Sequence, residues 1–214
     1  MIETLPIVRP IHFFDIEVDC DYAPHTTTLL STNYLLPQMG ALLDQEDFGE
    51  VAMAWNEEGL FFQVNVSKSL EQVDYPEWKK GDSFEVMIDT RDIKTTSYNT
   101  RFCHHFIFLP EKVGDIHAFE KTHFRLEDSH PLCDPSLLDV RCKKGKGSYT
   151  LFIYIPQNCL HGYDPLQFKR LGLNYRLNRY RGDAQEFSTS SLDLNHVEQM
   201  PSTWASVCLT GKEK

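Results

Sequence analysis

The sequence predicts an all-β fold, an antiparallel β-sandwich of two sheets. Three observations carry that expectation. Apolar residues recur at a spacing of two along many short segments, turn-forming clusters separate those segments, and only Leu36 to Glu46 has room for a short helix. The chain has 214 residues, 41% of them apolar and 14 of them Phe, and so can bury a sizeable core. Domains of this size bury roughly 70% of their unfolded surface without a metal or disulfide staple. No internal repeat or low-complexity linker divides it, so one domain is read across 1–214, with 1–47 as an N-terminal extension or first strands.

The elements follow in order. Residues 51–56 and 60–66 flank the turn Glu57-Glu58-Gly59. In the second run Phe62, Val64 and Val66 share one face while Gln63 and Asn65 share the other, the alternation of a half-buried strand. Residues 83–89 repeat it, with Phe84, Val86 and Ile88 inward against Glu85, Met87 and Asp89. The run 102–109 is expected to stop at Pro110, which has no amide hydrogen for a central ladder. Residues 111–136 read as an irregular surface excursion. Leu137 to Lys143 then turns through Lys143-Lys144-Gly145-Lys146 and returns as 148–155. That return strand is apolar on both faces, so it is expected to lie centrally and be covered on both sides. In 170–178, Leu171, Leu173, Tyr175 and Leu177 alternate with Gly172, Asn174, Arg176 and Asn178, and a last strand is read at 203–209.

Charge and composition exclude several partners. The formal net charge is −10, and 31 acidic residues outnumber 21 basic ones, whereas a nucleic-acid binder needs clustered Lys and Arg. The dense basic run at Lys143 is a solvated hairpin tip. No window approaches the roughly 18 apolar residues of a membrane span. Met1 to Pro10 holds Glu3 and two prolines and no secretory pattern, so a cytoplasmic protein is expected. The six widely spaced cysteines form no C-x-x-C pair and are expected to be reduced thiols.

Local catalytic motifs are absent: no G-x-S-x-G, H-E-x-x-H or phosphate-cradling loop occurs, and no enzymatic activity is expected. Cys103-His104-His105 invites a metal reading. Strand neighbours point to opposite faces, so only Cys103 and His105 could share a ligand, and one buried and one exposed histidine is the expectation. Asp89, Arg91 and Asp92 read as a solvated loop rather than a calcium site. Trp55 and Trp204 read as core. Trp78 stands in the polar loop 74–82, where an indole either folds onto the core edge or serves as a stacking platform for the C–H face of a sugar.

Several segments, met in order, resemble a known family: VAMAWNEEGLFFQVNV from Val51, GDSFEVMIDTR from Gly81, HHFIFLP from His104, GSYTLFIYIPQNCL from Gly147, LGLNY from Leu171 and PSTWASVCL from Pro201. The pattern is similar to the family-9 carbohydrate-binding modules and the wider DOMON-like sandwiches, over roughly residues 48–210, and closest to bacterial relatives for which it implies a fold and no activity. The resemblance implies two antiparallel sheets and a sugar held between two tryptophans at the sandwich edge. Trp78 matches the first clamp tryptophan and Glu85 a ligand-contacting glutamate. His105 stands where the family carries an arginine, and His196, Val197, Glu198 and Gln199 stand where the second tryptophan would be. Calcium is implied by resemblance, with no assignable ligands.

Two functional readings follow. The first is a saccharide or similar polar ligand bound through Trp78, Glu85 and His105, with Asn174 and Arg176 as further contacts and His196 or Tyr75 completing the clamp. The alternative is a protein–protein interaction or structural domain that keeps the sandwich and has lost the sugar clamp.

Overall fold

Period-two alternation builds most of the ladder. The computed structural model describes residues 13–24, 32–125, 127–192 and 194–211. In chain order its elements are β1 (Glu17–Asp21), α1 (Gly40–Leu43), β2 (Gly49–Asn56), β3 (Gly59–Val66), β4 (Ser83–Asp89), β5 (Cys103–Val113), β6 (Ile116–Glu120), β7 (Asp139–Gly145), β8 (Ser148–Pro156), β9 (Arg170–Asn178), β10 (Gln185–Glu186) and β11 (Ala205–Thr210), with short 3₁₀ turns between. A four-stranded antiparallel sheet has the order β2-β3-β8-β7. The larger sheet has the order β1-β11-β9-β4-β5-β6, with β10 added to β9, and its β1–β11 pair is parallel.

The core lies between the sheets because each contributes one apolar face. Val51, Met53, Trp55, Phe62, Leu151 and Ile153 of the small sheet meet Phe84, Val86, Phe106, Phe108, Leu173 and Tyr175 of the large one in one cluster. Each such side chain contributes roughly 1.5–3 kcal/mol by leaving water. The indole of Trp55, fully buried, also donates to the Thr210 carbonyl at 3.0 Å. The Tyr22–Trp55 bridge ties the end of β1 to β2, joining the sheets at one edge. Among the described residues no helix is long and apolar enough to cross a membrane.

Five expectations need correction. First, β5 does not stop at Pro110 but runs to Val113, because its pairing with β6 skips between Phe108 and Val113 and asks no amide of the proline. Second, the stretch read as irregular from 111 therefore begins with the β5–β6 hairpin, which its mixed polar sequence hid. Third, β8 is central, yet its second face is only half covered: Tyr149, Leu151, Ile153 and Ile155 are buried while Phe152 and Tyr154 are intermediate. Fourth, Cys133 and Cys159 form a disulfide, with Cα atoms 4.9 Å apart, leaving Cys20, Cys103, Cys142 and Cys208 as free thiols. The two partners are 26 residues apart, and only the fold of the loop after β6 brings them together. Fifth, the Asp89 region is not a solvated loop. Asp89 is buried, and its oxygens accept the backbone N–H groups of Arg91 at 2.9 Å and Ile93 at 2.7 Å, closing the turn after β4.

Candidate functional site

The outer face of the large sheet is where the polar alternates of β4, β5 and β9 come together. Glu85 pairs in register with Arg176 on one side and Ile107 on the other; Met87 pairs with Asn174 and His105. Two loops cover this face. The Trp78–Lys80 turn lies over Ile107 and Leu109, and the segment before β11 brings Trp204 onto Met87 and Cys103.

The Gly81-Asp82-Ser83 segment sets the position of Trp78. A Cβ on Gly81 would stand 2.8 Å from the Asp74 nitrogen and the Gln72 carbonyl oxygen, so only glycine lets the loop fold back this closely. One Asp82 oxygen accepts the N–H groups of Glu71 and Gln72, each at 2.9 Å, and the Ser83 hydroxyl donates to the Trp78 carbonyl at 2.8 Å. The indole meets Phe119 edge-on at 5.5 Å, and the Lys121 ammonium lies 4.4 Å from the ring centroid. It is 8% exposed, and its N–H has no partner among the described residues. Of the two sequence readings of this side chain, the packed one describes most of its surface. What remains free faces a groove.

That groove is shallow, with a volume of about 530 Å³, and it is walled by Trp78, His105, Lys121, His123, His196 and Glu198. Three of the six residues expected from sequence thus converge: Trp78, His105 and His196. Glu85 lies just beneath, its Oε2 2.9 Å from His105 Nε2 and its Oε1 accepting the Asn178 amide at 2.7 Å. Burial pushes the Glu85 carboxyl up, but the hydrogen bond and charge of His105, with Lys79 and Asn178, more than offset this and bring it to about 2. It is therefore an anion that holds the His105 ring in place and offers no oxygen to the groove.

The other expected residues lie elsewhere. Arg176 donates from Nε to Asn178 Oδ1 at 2.8 Å and faces a separate cavity of about 520 Å³ with Arg179, Glu186 and Ser190. Asn174 is fully buried and accepts the Ser188 N–H at 2.9 Å, so it anchors the chain after β10 rather than the groove. Both histidines of Cys103-His104-His105 are buried, contrary to the one-in, one-out expectation, because the outer face of β5 is covered by the Trp78 and Thr122 segments. Tyr75 leans edge-on against Phe119 instead of entering the groove wall. Glu198 and Gln199, from the segment that stands where the second clamp tryptophan would be, also belong to the wall, and Lys79, Lys121 and His123 belong to it without having been expected. The lysine beside Trp78 was legible as its neighbour. Lys121 and His123 follow β6, which carried no clear signal of its own.

Similarity to known proteins agrees with this architecture. The chain resembles, with 14% identity, a family 9 carbohydrate binding module from Caldicellulosiruptor kristjanssonii in complex with cellotriose, covering 92% of this chain and 95% of that one at a TM-score of 0.65. The same kind of module from that organism in complex with glucose gives 14% identity, 92% and 97% coverage, and a TM-score of 0.66. At these identities the likeness establishes the fold. No curated protein matches the chain. The sequence model of the family described as "Carbohydrate family 9 binding domain-like" matches residues 17–212, and on that match the chain belongs to this family.

Proposed function

We propose that this chain is a non-catalytic module that binds a saccharide in the groove beside Trp78. The observation that carries the reading is the convergence of Trp78, His105 and His196 on one groove, from a turn before β4, from β5 and from the segment before β11. A sugar presents C–H faces and a ring of hydroxyls. The indole offers apolar surface to the first and the charged and amide groups of Lys79, Lys121, Glu198 and Gln199 offer hydrogen bonds to the second. Family membership and the sugar complexes of the structural neighbours support the same reading. Lys121 stands over the indole, so stacking on that face requires its flexible side chain to swing aside.

The test is calorimetry with glucose and cellotriose on the wild type, His196→Ala and Trp78→Leu, with circular dichroism to establish that each variant is folded. His196 is exposed, so its removal is expected to leave the fold intact and to weaken binding by about fivefold to tenfold, the contribution of one hydrogen bond. Loss of the indole removes a stacking contribution of about 1–3 kcal/mol. Saccharide affinity unchanged in a folded Trp78→Leu would place the site elsewhere. Failure of the wild type to bind any glycan would favour the protein-interaction alternative.

A further inference from the structure

A second cluster lies away from the groove, inside one end of the sandwich. His104 on the inner face of β5, Glu120 at the end of β6 and His130 from the following loop bring one ligand atom each to within 4.8 Å of one another. Their side chains are sealed, at 0%, 0% and 2% exposure. Phe106 stacks on His104 at 5.5 Å, while His161 stacks on His130 at 5.5 Å and Phe124 meets it edge-on.

Two of the three donor separations match the edges of a coordination polyhedron. Glu120 Oε1 is 2.9 Å from His104 Nδ1 and 3.5 Å from His130 Nε2. Ligands bound at about 2.0–2.1 Å stand roughly 2.9 Å apart at a right angle and roughly 3.4 Å apart at a tetrahedral one. The surrounding hydrogen bonds aim the same atoms inward. His130 Nδ1 lies 2.8 Å from the Pro131 carbonyl, an acceptor, so it carries a proton there. Nε2 faces two further acceptors, Glu120 Oε1 and the Cys103 carbonyl oxygen at 3.1 Å, so positive charge belongs at this point, carried either by the ring as an imidazolium that donates to them or by a cation that the ring and both oxygens share. The second carboxylate oxygen of Glu120 is occupied by the Cys133 N–H at 2.7 Å, which leaves Oε1 at the centre of the set.

We propose that His104, Glu120 and His130 form a closed structural site for a zinc-class divalent cation, with the Cys103 carbonyl oxygen beside them as a fourth donor. Two imidazoles and one carboxylate suit zinc or a neighbouring transition metal, whereas calcium takes six to eight oxygens. The site ties β5, β6 and the loop from 121 together where that loop departs from the sheets. It also reaches the groove: the Thr122 hydroxyl donates to Glu120 Oε1 at 2.6 Å and accepts the His105 N–H at 2.8 Å. The inference is independent of what the groove binds.

The experiment uses the untagged full chain, stripped with a chelator and titrated with zinc against a chromophoric competitor. One zinc per chain and a higher melting temperature are expected, with calcium giving neither. His130→Ala and Glu120→Gln each weaken zinc binding at least tenfold. Should both variants fail to fold, X-ray absorption at the zinc edge of the wild type decides the matter: two imidazoles and oxygen support the site, and sulfur ligation overturns it. Absence of stoichiometric zinc binding, or binding undiminished in both folded variants, overturns it as well.

Discussion

Oε2 of Glu85 lies 2.9 Å from Nε2 of His105, across the β4–β5 ladder, with Glu85 sealed beneath the groove and His105 in its wall, at 1% and 4% exposure. Asn178 and Arg176 from β9 complete the surroundings of the carboxylate, at 2.7 Å and 3.9 Å. A buried anion with this many partners is costly to leave unpaired, so the pair couples stability to pH and to the shape of the groove floor.

The folded pKa of Glu85 is depressed from 4.5 to about 2. Its contribution is therefore complete above about pH 4.5 and is lost as the pH falls toward 2. Glu85→Gln is expected to cost about 3 kcal/mol at neutral pH and to flatten the acid limb of the stability profile. Urea unfolding from pH 2 to pH 7 measures both, and an acid limb equal to that of the wild type would remove Glu85 from this role.

Gly81→Ala should displace the Trp78 turn. The added methyl would meet backbone atoms of Gln72 and Asp74 at 2.8 Å, neither of which is the end of a flexible side chain. A loss of about 1–3 kcal/mol is expected. Indole fluorescence should report the moved ring. An unchanged spectrum and melting temperature would mean that the loop yields without strain.

Thiol titration in denaturant without reductant should find four reactive cysteines, and six after reduction. The bridge spans 26 residues, and closing a loop of that length stabilises by roughly 3–4 kcal/mol in the chain-entropy account. Cys133→Ser with Cys159→Ser should therefore lower the melting temperature. A count of six without reductant would refute the pairing.

Phe62→Ala probes the packed interior between the sheets. Phe62 is buried and its ring sits 6.1 Å from that of Phe84 across the core. Truncation should cost about 3–5 kcal/mol by guanidinium unfolding. A cost under about 1 kcal/mol would contradict a close-packed core at this point.

The alternation of Phe84, Val86 and Ile88 with Glu85, Met87 and Asp89 was legible residue by residue, as were the strands at 51–66 and 170–178, because side-chain direction in a strand has a period of two and is a local property. The same alternation placed Glu85, Asn174 and Arg176 off the core face of their strands. It could not say which strand lies beside which. Tertiary pairing decided that β4 sits between β5 and β9, and so that Glu85 meets both His105 and Arg176. The loops then covered Asn174 and turned Arg176 to another cavity. They also brought His130 to His104 and Glu120, and Cys133 to Cys159, across chain separations that no local pattern encodes. The sequence by itself determined the sandwich, its inward faces and Trp78 as a side chain outside the strands. The three-dimensional packing of long loops decided how far that indole is covered and which polar groups share its groove, because those depend on contacts between segments whose separation erases any periodic signal.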